Sequence, residues 1–111
     1  RIRKVIGDDS VTLTVGSHME PSPVSETDCE AWDKVAYAVA NTWKGCVVTP
    51  YLMVQCSDCR HYGRISDKVY RFSAMDLTSE ERATIHGNNE RIRVDAATRA
   101  VEFYIRLIKQ C

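Results

Sequence analysis

His86 is the side chain whose type and position most directly suggest chemistry. It stands in Ile85-His86-Gly87-Asn88-Asn89-Glu90, where a glycine directly after the histidine is placed to end a helix. A histidine at a helix terminus can present a neutral imidazole nitrogen into a cleft, and such a nitrogen is a good zinc ligand. Taken alone, such a histidine is more often a surface or hydrogen-bonded residue than a metal ligand. A second group is Cys56-x-x-Cys59 with His61 close behind, the spacing of a redox pair or of half a structural zinc site. One such pair without a second is weak evidence for either. The cysteines number five (Cys29, Cys46, Cys56, Cys59, Cys111) at irregular spacing. An odd, irregular set is not a disulfide framework, so reduced structural thiols are expected.

The elements that would position these groups follow from hydrophobic period and turn chemistry. Val11 to Val15 alternates in β-branched residues and reads as a strand. Glu20-Pro21-Ser22-Pro23 has two prolines in three residues and reads as an extended linker joining two units. Thr27 and Glu30 have capping-box spacing, and Trp32, Val35, Ala36, Val39 and Trp43 recur at helical steps up to Gly45. Cys46 to Val54 is an apolar run that predicts a strand buried on both faces, with Pro50 marking an edge or bulge. Val69-Tyr70-Arg71-Phe72 predicts a further short strand. Thr78 and Glu81 form a second capping box, opening a short helix that Gly87 would stop. From Asp95 as N-cap, Ala97, Val101, Tyr104, Ile105 and Ile108 mark one face of a closing helix. Strands alternating with helices imply an α/β fold, a small mixed sheet with helices packed on it.

Bulk properties exclude several classes. The 111 residues are 44% hydrophobic and 27% charged, with fifteen basic and fifteen acidic side chains, which allows one modest core at most. Balanced charge without long like-charge runs gives no electrostatic footprint for nucleic acid or an anionic membrane. No apolar stretch approaches the roughly 20 residues needed to span a bilayer, and no signal-peptide core opens the chain. The chain begins at Arg1, so processing, excision from something longer or omitted leading residues are expected. Gly16-Ser17-His18-Met19 looks like the scar of a cleaved expression tag, although it is internal.

Several blocks together resemble a known family. Ile85 to Ile92 is similar to the His-Gly-x-Asn-Glu segment near the C-terminus of the di-zinc metallopeptidases that include carboxypeptidase S, aminoacylase and succinyl-diaminopimelate desuccinylase. Val48 to Val54 followed by Ser57-Asp58-Cys59-Arg60-His61-Tyr62 resembles that family's apolar strand and Gly-Thr-Asp-Ser-Arg-His-Tyr segment. Val69 to Phe72, Val101 to Ile108 and Glu20 to Ser25 resemble an intervening strand, the closing helix and the entry to the last catalytic unit, and the carboxypeptidase S branch matches best. The resemblance implies that residues 1–19 end a lid-domain-like segment and linker, with Gly16 to Met19 native. It implies that residues 20–111 form the C-terminal part of the catalytic domain. It further implies that His86 is a ligand in a two-zinc site, that Asp58 and Arg60 line the substrate end of the cleft, and that Asn89 and Glu90 fix the histidine loop. An arginine there suits a carboxylate, whereas a local Asp58–Arg60 ion pair is the plainer reading.

The chain departs from the family pattern at Gln55-Cys56, where small glycines are usual, and at Cys59, where serine is usual. The family segments that carry the early His-x-Asp pair, the bridging aspartate, the Glu-Glu pair with the general base and a further acidic ligand have no match among the blocks of this chain. A hydrolytic zinc site needs several ligands and a base, so the chain alone is not a complete active site. Two expectations result. One is a fragment of a zinc amidohydrolase or carboxypeptidase acting on peptides or N-acyl amino acids. The other is a non-catalytic module derived from such an enzyme, acting through partners or as a homo-oligomer.

Overall fold

The computed structural model describes residues 1–111 and contains five helices: α1 (Ile2–Ile6), α2 (Glu30–Thr42), α3 (Cys59–Tyr62), α4 (Ser79–Ala83) and α5 (Val94–Ile108). Only α2 and α5 pack against each other. The pair is antiparallel, because Gln110 Nε2 reaches Lys34 O at 3.3 Å while Arg106 Nη1 reaches Thr42 Oγ1 at 3.1 Å. Ala38 on α2 is fully buried and small, which lets the Phe103 ring of α5 insert beside it. Val39, Trp43, Ala100 and Leu107 close around that contact.

An extended segment, residues 69–74, lies along the helix pair. Its alternate side chains face inward: Tyr70 meets Trp32 edge-on with centroids 5.6 Å apart, Phe72 meets Phe103 at 5.1 Å and Trp43 at 6.1 Å, and Ala74 is buried. Such a mutually tilted aromatic cluster matches the electrostatic preference of ring edges for ring faces. Ser25 holds the start of the segment, donating to Val69 O at 3.1 Å and accepting from Val69 N at 2.9 Å.

The expected small mixed sheet is absent, and with it the α/β class: the chain has helices but no strand. A strand exists only when a second backbone accepts and donates along it. Residues 69–72 have the strand's alternation, but a serine side chain takes the place of a partner backbone. Residues 47–56 make no backbone–backbone hydrogen bond, and Val47 (88%) and Val54 (85%) stand exposed rather than buried on both faces. Residues 11–15 have one such bond, from Val11 N back to Asp8 O, which is a turn.

Smaller differences concern caps and faces. α2 starts at Glu30 with Cys29 as N-cap and no side-chain capping bond; Glu30 pairs instead with Lys34 at 2.8 Å, so the Thr27–Glu30 box does not form. α5 is capped by Arg93, two residues before Asp95, whose carboxylate pairs with Arg99 at 2.8 Å. Its buried face is Ala96, Ala100, Phe103 and Leu107, while Val101, Tyr104, Ile105 and Ile108 are exposed. The helix is apolar around most of its circumference, and periodicity alone selected the face that α2 does not cover.

The radius of gyration is 19.0 Å, against about 13 Å for a compact chain of this length. The accessible surface of 9422 Å² likewise exceeds the roughly 6,200 Å² of a folded monomer of this mass. Five residues are buried, and Phe103 is the only large side chain fully so.

Candidate metal-ligating site

His86 sits between α4 and α5, on a loop tied at both ends. At the α4 end the capping box forms as its spacing predicts: Glu81 N donates to Thr78 Oγ1 at 3.1 Å, and Thr78 N donates to Glu81 Oε2 at 2.8 Å. α4 ends at Ala83, and Gly87 N closes the next turn on Thr84 O at 2.8 Å. The left-handed position after the helix is His86 itself, with φ of 60°, and Asn89 follows at 61°. Left-handed backbone is uncommon outside glycine, though histidine and asparagine tolerate it better than most. Gly87 serves another purpose. A Cβ there would lie 3.3 Å from Thr84 O, so the turn leaves it little room.

Inside the loop, His86 N donates to Glu90 Oε2 at 3.2 Å, which makes Glu90 a brace for the histidine's backbone. Asn89 contributes its carbonyl, which accepts from Arg91 Nη1 at 3.3 Å. That backbone bond is the only hydrogen bond of His86, and the residue is exposed. Both ring nitrogens are therefore available, and the residue fits a metal as one ligand. No group of three or more His, Cys, Asp or Glu side chains converges anywhere in the chain.

Asp58 and Arg60 lie at the start of α3, where Asp58 is exposed and Arg60 half-buried. They form no ion pair with each other. Arg60 Nε instead points at His61 Nε2, 3.3 Å away, and Asp58 O accepts from His61 N at 2.9 Å. No hydrogen bond or ion pair joins this segment to the His86 loop, so the chain by itself does not bring the two groups together. Cys56 and Cys59 are free thiols, as are the other three cysteines.

Two features escaped the sequence reading. Arg93 anchors the far end of the His86 loop: its backbone N donates to Glu81 Oε1 at 3.0 Å, its Nη1 to Glu81 Oε2, and its Nη2 to Asp76 O at 3.0 Å. These bonds hold the Glu81 carboxyl below its ordinary range, with the Thr78 backbone N–H the largest cause. The other is Cys29, whose Sγ lies 3.1 Å from Tyr70 Oη. The Tyr70 hydrogen bond, then the N–H groups of Trp32 and Ala31, favour its thiolate. Tyr70 Oη also donates to Glu26 O at 2.7 Å, and a phenol has one proton. The shorter bond directs the phenol's proton at Glu26 O, so the thiolate gains less from Tyr70 than a full hydrogen bond would give.

Comparison with known proteins finds relatives that match nearly the whole chain. The chain is 30% identical over 109 residues to a probable carboxypeptidase S-like protein of Dictyostelium discoideum, covering 97% of this chain and 21% of that protein. It is 34% identical over 109 residues to an N-fatty-acyl-amino acid synthase/hydrolase of Xenopus tropicalis, again 97% and 21%. A second carboxypeptidase S-like protein of Dictyostelium discoideum is 31% identical over 110 residues, 97% of this chain and 23% of that protein. The chain belongs to the M20 peptidase family. It spans about a fifth of the length of the M20 relatives it matches. No family profile and no solved structure matches it. No helix is long and apolar enough to cross a membrane.

Proposed function

We propose that this chain is the C-terminal segment of a zinc-dependent amidohydrolase, supplying His86 as one ligand of a two-zinc site. The observation that carries the reading is the His86 loop, in which a left-handed histidine with an unengaged imidazole is braced through its own backbone by Glu90. Strained non-glycine backbone retained at an exposed loop is typical of functional sites. When bound, zinc supplies Lewis acidity, polarising a carbonyl and acidifying a water. The chain's own contributions are to hold one imidazole, through Asn89 and Glu90, and to offer Asp58 and Arg60 to the substrate. The half-buried Arg60 guanidinium has no carboxylate partner in the chain, which leaves it free to bind the C-terminal carboxylate of a peptide or N-acyl amino acid. Residues 1–19 then close a lid segment and linker, and residues 20–111 belong to the catalytic part. The large uncovered apolar surface supports the reading of a segment of a larger protein, since apolar residues such as Val47, Tyr51, Leu52 and Val54 need a partner.

The test is zinc content of the intact enzyme. His86→Ala should remove about one of two zinc ions and abolish amide hydrolysis, while unchanged stoichiometry would refute the assignment. With a single ligand, the 111-residue chain alone should neither hold stoichiometric zinc nor turn over substrate. The same apolar surface favours a second reading, a non-catalytic module that self-associates; light scattering that shows a clean monomer of the isolated chain counts against it.

A further inference from the structure

We propose that Glu81 is a positioning residue for His86, clamping both ends of the histidine loop through one carboxylate. The inference rests on the reading of His86 as a zinc ligand. It begins from an excess. A capping box needs the Glu81 side chain only at Thr78 N, and that bond is present at 2.8 Å. The carboxylate also receives the Arg93 backbone N at 3.0 Å and the Arg93 guanidinium, twelve residues further along. Neither contact contributes to starting α4. Both close residues 82–92 into a ring whose two ends meet on a single side chain.

Glu81 is the only buried charged residue of the chain, 7% exposed, and the partners of its carboxylate come from Thr78 and Arg93 alone. Arg93 is held from its other side by Asp76 O and Asp95, and Asp76 is held in turn by Arg99 of α5 at 3.0 Å. The clamp thus ties the loop to the most securely packed helix of the molecule. Within the ring, residues 88–92 make no backbone–backbone hydrogen bond at all. Their path is set by the ends and by the Glu90 brace. A ligand side chain must be held within about 0.5 Å of its working position, and outer groups that orient a ligand typically change metal affinity 10- to 100-fold when removed. With so little internal bonding beyond the Glu90 brace and the Gly87–Thr84 turn, the loop depends on this clamp to place the imidazole relative to α4 and α5.

The experiment measures zinc affinity of the intact enzyme by chelator competition, with thermal unfolding recorded in parallel. Glu81→Gln keeps the side chain's size and one oxygen for Thr78 N and the guanidinium, but its amide nitrogen cannot accept from Arg93 N, and the ionic attraction to the guanidinium is lost. It should weaken the zinc ion that depends on His86 by about 10- to 100-fold. Arg93→Lys, which keeps the backbone donor, should lose less. Thr78→Ala removes the hydroxyl cap of α4 and leaves the Glu81–Arg93 bonds, so it should lower the unfolding temperature with zinc affinity unchanged. Folded Glu81→Gln enzyme with native zinc affinity would overturn the proposal, as would an equal loss of affinity in Thr78→Ala. His86→Ala distinguishes the two layers of inference. If it leaves both zinc ions in place, the ligand assignment fails; if it removes one while Glu81→Gln does not weaken that ion, the positioning role alone fails.

Discussion

Replacing Phe103 by alanine should bring the α2–α5 pair to the edge of unfolding. Phe103 is 2% exposed and meets Phe72 and Tyr104 at 5.1 Å and Trp43 at 5.8 Å between ring centroids. Truncating a buried phenylalanine costs about 3–5 kcal/mol, a figure that already includes the lost ring contacts and the cavity left behind. No other large side chain is fully buried, so nothing elsewhere compensates. A domain at the low end of natural stability has about 5 kcal/mol in total. A loss near 4 kcal/mol shifts the folding equilibrium roughly a thousandfold and takes most of that margin. The assay is helical circular dichroism through a urea titration. The control is Val101→Ala on the same helix: Val101 is 59% exposed, and its replacement should change stability by less than about 0.5 kcal/mol. An unchanged urea midpoint for Phe103→Ala, or an equal drop for Val101→Ala, would refute the placement of the core.

Replacing His86 by glycine should stabilise the metal-free chain by about 1 kcal/mol, because glycine adopts the left-handed backbone without strain; His86→Ala should not, and melting temperatures of the two compare them directly. The Tyr70 phenol is pushed up to about 12, first by burial and then by the Cys29 hydrogen bond. An unfolded phenol ionises near pH 10, so its contribution is complete below that value and is lost as pH rises from about 10 to 12. Cys29 has the opposite sign: its depressed thiol contributes above its unfolded value near 9.0, and that contribution falls away as pH drops through the folded value. Urea midpoints across alkaline pH should therefore decline above pH 10 less steeply in Tyr70→Phe than in the native chain. Gly87→Ala should displace the His86 turn, since the new methyl meets the Thr84 carbonyl at 3.3 Å; a changed chemical shift of the His86 amide with little change at Phe103 is the expected signature.

Local chemistry was legible in the sequence where its partners lie within a few residues. The Thr78–Glu81 box forms as its spacing required, and the helices over residues 30–42 and 94–108 follow the three- and four-residue steps of their apolar side chains. The His86-Gly87-Asn88-Asn89-Glu90 run is one of several blocks that resemble the family its relatives show, and it brings His86 and Glu90 within hydrogen-bond reach. Three other matters depended on residues remote in sequence. Apolar runs at 46–54 and 69–72 state a willingness to be extended, but only a second backbone turns an extended segment into a strand, and the chain supplies none. Periodicity shows that α5 is apolar, while the choice of its buried face fell to the small Ala38, which admits Phe103 and leaves Ile105 and Ile108 outside. The link from Glu81 to Arg93 crosses twelve residues without a repeat or spacing to announce it. Residue types thus determined which groups carry charge, which can hold a metal and which locally cap a helix. The tertiary structure decided which of them meet, because burial and hydrogen bonding between distant segments depend on how the chain closes on itself.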